Sequence, residues 1–309
     1  MNRRTHTSEQ REDSAGVVAG LLAYAMWGVL PVYFKLTDTV PALEILAHRV
    51  VWAVPFGALI ILFRRQLREV LAALRNPAML GWLTLAAVCI GANWLIYIWA
   101  VQNDKIHEAS LGYYMNPLVY VLVGVWAFGE RLRRPQLLAV AVASAGVLIL
   151  TLSGGEFPWV SLSLALLFTV YGVIRKQVAI GAMPGLFVET LILLPIALAW
   201  LAYVWHAGGL VFAAGDTNMD LMLLLAGPFT VLPLLFFAIA ARKLTLTTVG
   251  FMQFIAPTLQ FLVGLYYGER LNTAQLLCFC FIWLAIVIFS LDAVLSAKKK
   301  PLPVVPTGA

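Results

Sequence analysis

Two stretches of the chain carry nearly the same pattern of prolines, glycines and charges. Residues 109–138 read A-S-L-G-Y-Y-M-N-P-L-V-Y-V-L-V-G-V-W-A-F-G-E-R-L-R-R-P-Q-L-L, and residues 248–277 read T-V-G-F-M-Q-F-I-A-P-T-L-Q-F-L-V-G-L-Y-Y-G-E-R-L-N-T-A-Q-L-L. Pro117 aligns with Pro257 at an offset of 140, and Glu130 aligns with Glu269 at an offset of 139. An apolar composition alone would repeat leucine and valine but not the prolines, glycines and charges at these spacings, so the pattern indicates an internal duplication.

The composition places the chain in a membrane. Of its 309 residues, 62% are apolar and only 12% are charged, whereas a soluble domain carries about 25% charged residues. The net charge of +6 comes from basic residues at the ends of apolar segments. That distribution bears on membrane topology and gives no support for a nucleic-acid partner.

The apolar segments are long enough to span a bilayer as helices, which takes about 20 residues each. They are continuously apolar, whereas the strands of a membrane barrel would alternate. The sequence therefore predicts an all-α membrane protein with ten transmembrane helices, at residues 16–36, 42–63, 80–101, 108–128, 136–153, 158–176, 184–204, 219–240, 246–267 and 272–293.

The distribution of lysine and arginine predicts the orientation. With the N-terminus inside, seventeen basic residues fall on the cytoplasmic side and three on the outer side, with Arg49 inside a helix. Such a bias predicts that both termini are cytoplasmic.

A repeat of five helices, an odd number, must then enter the membrane twice with opposite orientation. The predicted organisation is a cytoplasmic tail (1–15), a first five-helix repeat (16–153), a second, inverted five-helix repeat (158–293) and a basic, proline-rich cytoplasmic tail (294–309). Inverted repeats are typical of secondary transporters that work by alternating access. The alternative is that the duplication serves only stable packing.

The connection 64–79 places Leu67, Val70, Leu71 and Leu74 on one helical face, with arginines elsewhere. It is interpreted either as a helix lying at the inner surface or as a solvated linker.

Three ionisable residues, Glu44, His48 and Arg49, fall within the second predicted span. A charge at the centre of a span costs about 2.5–3.5 kcal/mol on insertion scales. Glu44 and His48 are four residues apart and share a helix face, so the pair could exchange protons near neutral pH. The alternative is an outer-interface cluster that pairs with Lys35 or with lipid headgroups. Glu189 aligns with Arg49, but the inversion would place the two in opposite halves of the membrane.

Polar and aromatic residues near prolines form the predicted solute cavity. A proline within a helix frees a backbone carbonyl and kinks the chain, and Pro117 and Pro257 do so at equivalent positions. The alternative for each aromatic residue is packing or an interfacial belt. The predicted cavity residues are Asn93, Trp94, Tyr97, Tyr113, Asn116, Gln253 and Gln260.

The motifs of other classes are missing from the sequence. It contains no ATP-binding G-x-x-x-x-G-K-[ST] pattern, no nucleophile elbow and no H-E-x-x-H, which argues against a primary pump and against an enzyme. The expected partners are a small-molecule solute and the lipid bilayer. No metal and no cofactor are expected. Transport could be coupled to the proton gradient.

The chain resembles the drug/metabolite transporter superfamily with EamA-type repeats, and within it the RarD subfamily. The resemblance covers about residues 16–295 and rests on Y-A-M-W-G-V-L-P-V-Y-F-K (24–35), E-I-L-A-H-R-V-V-W (44–52), G-A-N-W-L-I-Y-I-W-A-V (91–101), E-A-S-L-G-Y-Y-M-N-P-L (108–118), Y-G-V-I-R-K (171–176) and G-P-F-T-V-L-P-L-L-F-F-A (227–238). It implies ten helices, a central cavity and a multi-pass permease of the bacterial inner membrane that exports metabolites, amino acids or drugs. The alternative function is a non-transporting membrane regulator or assembly partner.

Overall fold

The structure is a computed structural model that describes residues 4–128, 133–153, 157–244 and 252–298. The described residues form eleven helices and no strand. The helices are α1 (Arg4–Leu36), α2 (Ala42–Phe63), α3 (Leu67–Leu74), α4 (Pro77–Gln102), α5 (Ile106–Phe128), α6 (Arg134–Ser153), α7 (Trp159–Gln177), α8 (Ala182–His206), α9 (Thr217–Lys243), α10 (Ile255–Tyr266) and α11 (Thr273–Lys298).

The predicted all-α membrane class is confirmed. Within the described ranges, eight helices are long and apolar enough to cross a membrane, and α10 is a shorter apolar helix. Ten of the eleven helices match the ten predicted spans within a few residues, except that α1 begins at Arg4 and α10 at Ile255. The start of the predicted span 246–267 lies outside the described residues, so the count of ten spans stays a prediction.

By their contacts, the helices divide into two compact units. One unit contains residues 1–116 and 159–270, and the other contains residues 117–158 and 271–309. Each unit takes residues from both predicted repeats, so this division does not follow the repeat boundary. The two-repeat organisation stays a prediction.

In the first unit, α2 and α8 cross at small residues. A methyl group placed on Gly57 would lie 2.8 Å from the Phe187 ring, and Ala47 lies in one buried apolar cluster with Ala197. At the offset of 140, Gly57 aligns with Ala197 and Ala47 with Phe187. Replacing each residue by its counterpart in the other repeat therefore converts one contact into the other. Two antiparallel helices related by a two-fold axis in the membrane plane would give this pattern.

The helix pairs α2–α9 and α4–α8 correspond to each other at the offset of 140, but their glycine contacts in the first unit fall at positions that do not align. The α9 backbone at Gly227 lies directly against the α2 backbone at Trp52, whereas Gly91 of α4 meets only the side chain of Leu193 on α8, at 3.4 Å from a placed methyl group. Gly227 is therefore needed for the close approach of α9 to α2, and Gly91 has no such role.

The segment 64–79 contains the helix α3, so the predicted helix is confirmed. Its position at the membrane surface stays a prediction. Val70 and Ala73 are buried against the first unit, while Leu67, Leu71 and Leu74 are exposed. The apolar face of α3 is therefore only partly used for packing.

In the second unit, α6 packs against α11. Gly146 allows this approach, because a methyl group there would lie 2.7 Å from Cβ of Phe281. An ion pair of 2.9 Å between Arg133 and Asp292 also links the two helices.

Candidate substrate site

Five helices of the first unit bring polar and aromatic side chains together around Arg49. We call this set the Arg49 cluster. Its members are linked by hydrogen bonds, ring contacts or cation–π contacts, and they lie at mid-helix positions of long apolar helices except for Phe34, near the end of α1. The cluster consists of Phe34 (α1), Arg49 (α2), Asn93, Trp94 and Tyr97 (α4), Tyr113 (α5) and Thr230 (α9).

The Arg49 guanidinium is buried among rings and one hydroxyl. Its Nε donates a hydrogen bond to Thr230 Oγ1 at 3.0 Å, and its Cζ lies 4.5 Å from the Trp94 ring centroid and 5.5 Å from that of Phe34. Nη1 is buried without a hydrogen-bond partner. Within the described residues, no carboxylate pairs with Arg49, so the aromatic faces supply most of its compensation.

Asn93 and Tyr113 bond to each other next to this cation. The Tyr113 hydroxyl donates to Asn93 Oδ1 at 3.1 Å, and Asn93 Nδ2 donates to the carbonyl of Leu164 at 3.1 Å. Tyr97 packs edge-on against Tyr113 at 5.5 Å, and its buried hydroxyl makes no hydrogen bond to any residue that the structure describes. Four of the predicted cavity residues, Asn93, Trp94, Tyr97 and Tyr113, therefore lie in one cluster.

Glu44 and His48 are also buried, and Glu44 forms hydrogen bonds to the loop between α8 and α9. Glu44 Oε1 accepts hydrogen bonds from the amides of Val211 at 2.9 Å and Phe212 at 3.4 Å. His48 Nε2 lies 3.9 Å from the same oxygen, and His48 Nδ1 accepts a bond from Trp52 Nε1 at 3.1 Å. The predicted approach of Glu44 and His48 is thus present, and Glu44 fixes the loop between α8 and α9.

Two basic residues have partners that the sequence did not predict. Lys35, which the alternative interpretation offered as a partner for the helix α2 charges, pairs instead with Asp104. Arg175, at the end of α7, lies 3.5 Å from Oε1 of the buried Glu189. Glu189 Oε2 also accepts a hydrogen bond from the Tyr171 hydroxyl at 3.2 Å. Arg175 therefore compensates a buried carboxylate.

The remaining predicted cavity residues lie in other surroundings. Gln260 Nε2 donates to the carbonyl of Trp27 at 3.1 Å, Asn116 Oδ1 is buried without a partner, and Gln253 is half-buried in a turn before α10. Their place in a cavity stays a prediction.

The two prolines lie in different settings. Pro117 lies within α5, with its side chain outside the described part. Pro257 lies in the first turn of α10, which starts after a turn at Gln253 and Phe254. Its carbonyl accepts a hydrogen bond from Ser110 Oγ at 2.8 Å. The kinks at these prolines stay predictions.

Sequence reasoning missed Phe34 and Thr230. Both lie inside stretches that carried the resemblance, residues 24–35 and 227–238. The available signal was a hydroxyl residue flanked by Pro228 and Pro233 in an apolar helix. Its partner Arg49 is 181 residues away in the chain, so local patterns could not connect them.

Long apolar helices with buried polar groups between them define a multi-pass integral membrane protein. The model of the EamA-like transporter family matches residues 14–152. An uncharacterised transporter of Pseudomonas aeruginosa is 45% identical, covering 93% of this chain and 97% of the relative. Protein RarD of Salmonella typhi is 43% identical, covering 94% and 100%.

A transporter of Bacillus subtilis, also uncharacterised, is 41% identical over 93% of this chain and 97% of its own length. A solved crystal structure of a protein with 20% identity covers 93% of this chain and 99% of its own, with a TM-score of 0.59, and shows the fold alone. The chain belongs to the EamA-like transporter family of the drug/metabolite transporter superfamily, in its RarD subfamily. It is a membrane permease of that family, and its relatives are named as transporters rather than as enzymes.

Proposed function

We propose that this chain is a secondary active transporter that exports small metabolites, amino-acid-like solutes or drugs across the inner membrane by alternating access. Both termini lie in the cytoplasm in this proposal. The observation that carries it is the Arg49 cluster, because it gathers a cation, an amide and hydroxyls inside apolar helices. Polar groups at such depth in a membrane protein usually mark a solute or ion pathway.

The helix contacts of the first unit support alternating access. The exchange of contacts between α2 and α8 fits two halves related by an axis in the membrane plane. The backbone contact of α9 with α2 at Gly227, set against the side-chain contact of α4 with α8 at Gly91, fits corresponding helix pairs that pack differently in the two halves, although the two glycines do not align. Exchange of these two arrangements would open a central site to one side and then the other.

Proton coupling through Glu44 and His48 is the second part of the proposal. The two side chains are buried and 3.9 Å apart, within reach of an exchange through a small movement or one water. A double variant, Glu44→Gln with His48→Gln, should lose the dependence of transport on the pH gradient. Unchanged transport with unchanged pH dependence would exclude this pair as the coupling site.

The function is tested by comparing small molecules inside and outside cells. Four strains are needed: one lacking the protein, one overproducing it, one overproducing Asn93→Ala with Tyr97→Ala, and one overproducing Thr84→Val. Thr84 lies on the exposed face of the same helix, where its hydroxyl donates a hydrogen bond to the Leu80 carbonyl. It controls for the loss of a polar group from α4.

We expect a solute to leave the cells that overproduce the unaltered protein or the Thr84→Val variant. It should not leave the cells that overproduce the Asn93→Ala, Tyr97→Ala double variant. Inward movement would reverse the proposed direction. If no solute moves in several growth media, the transport proposal is overturned in favour of the regulator or assembly partner. That alternative then predicts a protein bound to the chain at its exposed helices.

A further inference from the structure

Arg49 is a buried cation that has no anionic partner in the described part of the chain. Buried charges in proteins are normally paired, because an isolated charge is costly in an apolar environment. Thr230 supplies one neutral oxygen to Nε, and Nη1 has no partner. By contrast, Glu44 accepts hydrogen bonds from two backbone amides, and Glu189 accepts one from the Tyr171 hydroxyl and has Nε of Arg175 3.5 Å away, although one oxygen of each carboxylate makes no hydrogen bond within the described residues.

The side chains around Arg49 suit a small amphipathic anion. Trp94 and Phe34 lie over the guanidinium, and a guanidinium covered by rings keeps its N–H edge available for bonds in its own plane. A carboxylate matches that edge, since arginine and carboxylate form charge-assisted bonds with fixed geometry. The rings of Tyr97 and Tyr113 next to the cation offer apolar contact for the body of a solute.

We propose that Arg49 binds the carboxylate of the transported solute, and that the Arg49 cluster selects small organic carboxylates with an apolar or aromatic body. This inference rests on the proposed function and names the chemical class of its solute. A cationic solute is disfavoured by repulsion from Arg49, and a neutral one leaves the guanidinium uncompensated.

The first test uses the unaltered full chain in detergent micelles and two isosteric pairs of probes. Binding of phenylacetate is compared with phenylacetamide, and hexanoate with hexanamide, by calorimetry and by tryptophan fluorescence, since Trp94 lies 4.5 Å from the cation. A charge-assisted hydrogen bond that the amide cannot replace predicts at least about tenfold tighter binding of each carboxylate. Equal binding within a pair would overturn the proposal. Tighter binding of phenyl phosphate than of phenylacetate would overturn the choice of a carboxylate.

The second test assigns the preference to Arg49. Arg49→Gln should reduce the preference for carboxylate over amide from about tenfold to about onefold, while Thr84→Val on the exposed face of α4 should keep it. Arg49→Lys covers the case in which the glutamine variant does not fold. It keeps the charge but lacks the planar fork, so carboxylate binding should weaken several-fold. Full carboxylate preference in either folded Arg49 variant would place the anion site elsewhere.

Failure of this inference can be told apart from failure of the proposed function. If the cell experiment shows export of only neutral or cationic solutes, transport stands and the carboxylate site is wrong. If no solute moves but the purified chain binds carboxylates through Arg49, the binding site stands and transport is wrong.

Discussion

Arg49 and Glu189 occupy equivalent positions in the two predicted repeats and carry opposite charges. They align at the offset of 140, on the second long helix of each half, and their exposed fractions are 5% and 0%. Glu189 has a cation 3.5 Å away and a tyrosine hydroxyl at 3.2 Å. Arg49 has one threonine hydroxyl at 3.0 Å and two aromatic faces.

The difference teaches that two equally buried charges need not be equally well balanced by opposite charges nearby. The carboxylate at position 189 has a cation beside it within the chain, although its Oε1 accepts no hydrogen bond within the described residues. The guanidinium at position 49 has no carboxylate beside it among the residues that the structure describes, so its surroundings suit an incoming anion. Phe168 lies between the two sites, 6.0 Å from the Tyr113 ring and 6.2 Å from the Tyr171 ring. The surroundings of the two charges are therefore joined through one shared ring within one packed unit.

The largest effect on stability is expected from Arg175→Gln. This change leaves the Glu189 carboxylate buried with only the Tyr171 hydroxyl. Breaking a buried ion pair by removal of one partner costs about 3–5 kcal/mol. Because the Arg175 side chain is 13% exposed, we expect a loss of about 3 kcal/mol in the free energy of unfolding. Unfolding in detergent micelles, followed by tryptophan fluorescence, measures it.

The matched control is the double variant Arg175→Gln with Glu189→Gln. It removes both charges, so more than half of the lost stability should return. A double variant that is as unstable as the single one would mean that Arg175 acts through its bonds to the carbonyls of Gly181 and Ala182 and not through Glu189.

The next effect is expected from Gly227→Ala, one helical turn before Thr230. The added methyl group would clash with the Trp52 backbone, which cannot swing aside as a side chain can. Overpacking of this kind costs about 1–3 kcal/mol, so we expect about 2 kcal/mol. Since the clash pushes α9 away from α2, it should also separate Thr230 from Arg49 and weaken binding of phenylacetate.

Gly91→Ala on α4 is the control, the same change at a glycine of the helix that corresponds to α9; the residue aligned with Gly227 itself is Ala87. The new methyl group would lie 3.4 Å from a mobile methyl of Leu193, and alanine favours a helix by about 1 kcal/mol over glycine. The unfolding free energy should stay the same or rise. If both alanine variants lost the same stability, the proposed difference between the α2–α9 and α4–α8 contacts would be wrong.

A smaller effect is expected from Glu44→Gln, five residues before Arg49 on α2. The glutamine oxygen can still accept from the Val211 and Phe212 amides, but without the charge that strengthens those bonds. We expect a loss of about 1 kcal/mol and faster hydrogen exchange at those two amides. Unchanged exchange at the loop would show that Glu44 does not hold it.

Much of the fold could be predicted from the sequence, because apolar runs of about 20 residues have few alternatives in a membrane. The helix at 67–74 and the approach of Glu44 to His48 follow from local periodicity. The bond between Asn93 and Tyr113, the support of the 207–216 loop by Glu44 and the bond from Arg49 to Thr230 depend on tertiary packing, which no local pattern encodes. The sequence could say that Arg49 needs a partner, but only the packed helices show that a hydroxyl and two rings take that place.

The smallest effect on stability is expected from Arg49→Gln, the same arginine-to-glutamine change as in Arg175→Gln. The variant loses a bond to Thr230 and cation–π contacts worth about 0.5–2 kcal/mol. It also no longer buries a charge that lacks an anion, which offsets that loss. The free energy of unfolding should therefore change by less than about 1 kcal/mol, in the same assay that detects about 3 kcal/mol for Arg175→Gln. Both changes replace arginine by glutamine, so helix propensity and side-chain volume nearly cancel between them. A loss as large as that of Arg175→Gln would mean that Arg49 already has an anionic partner within the chain, and the reason for placing a solute carboxylate there would disappear.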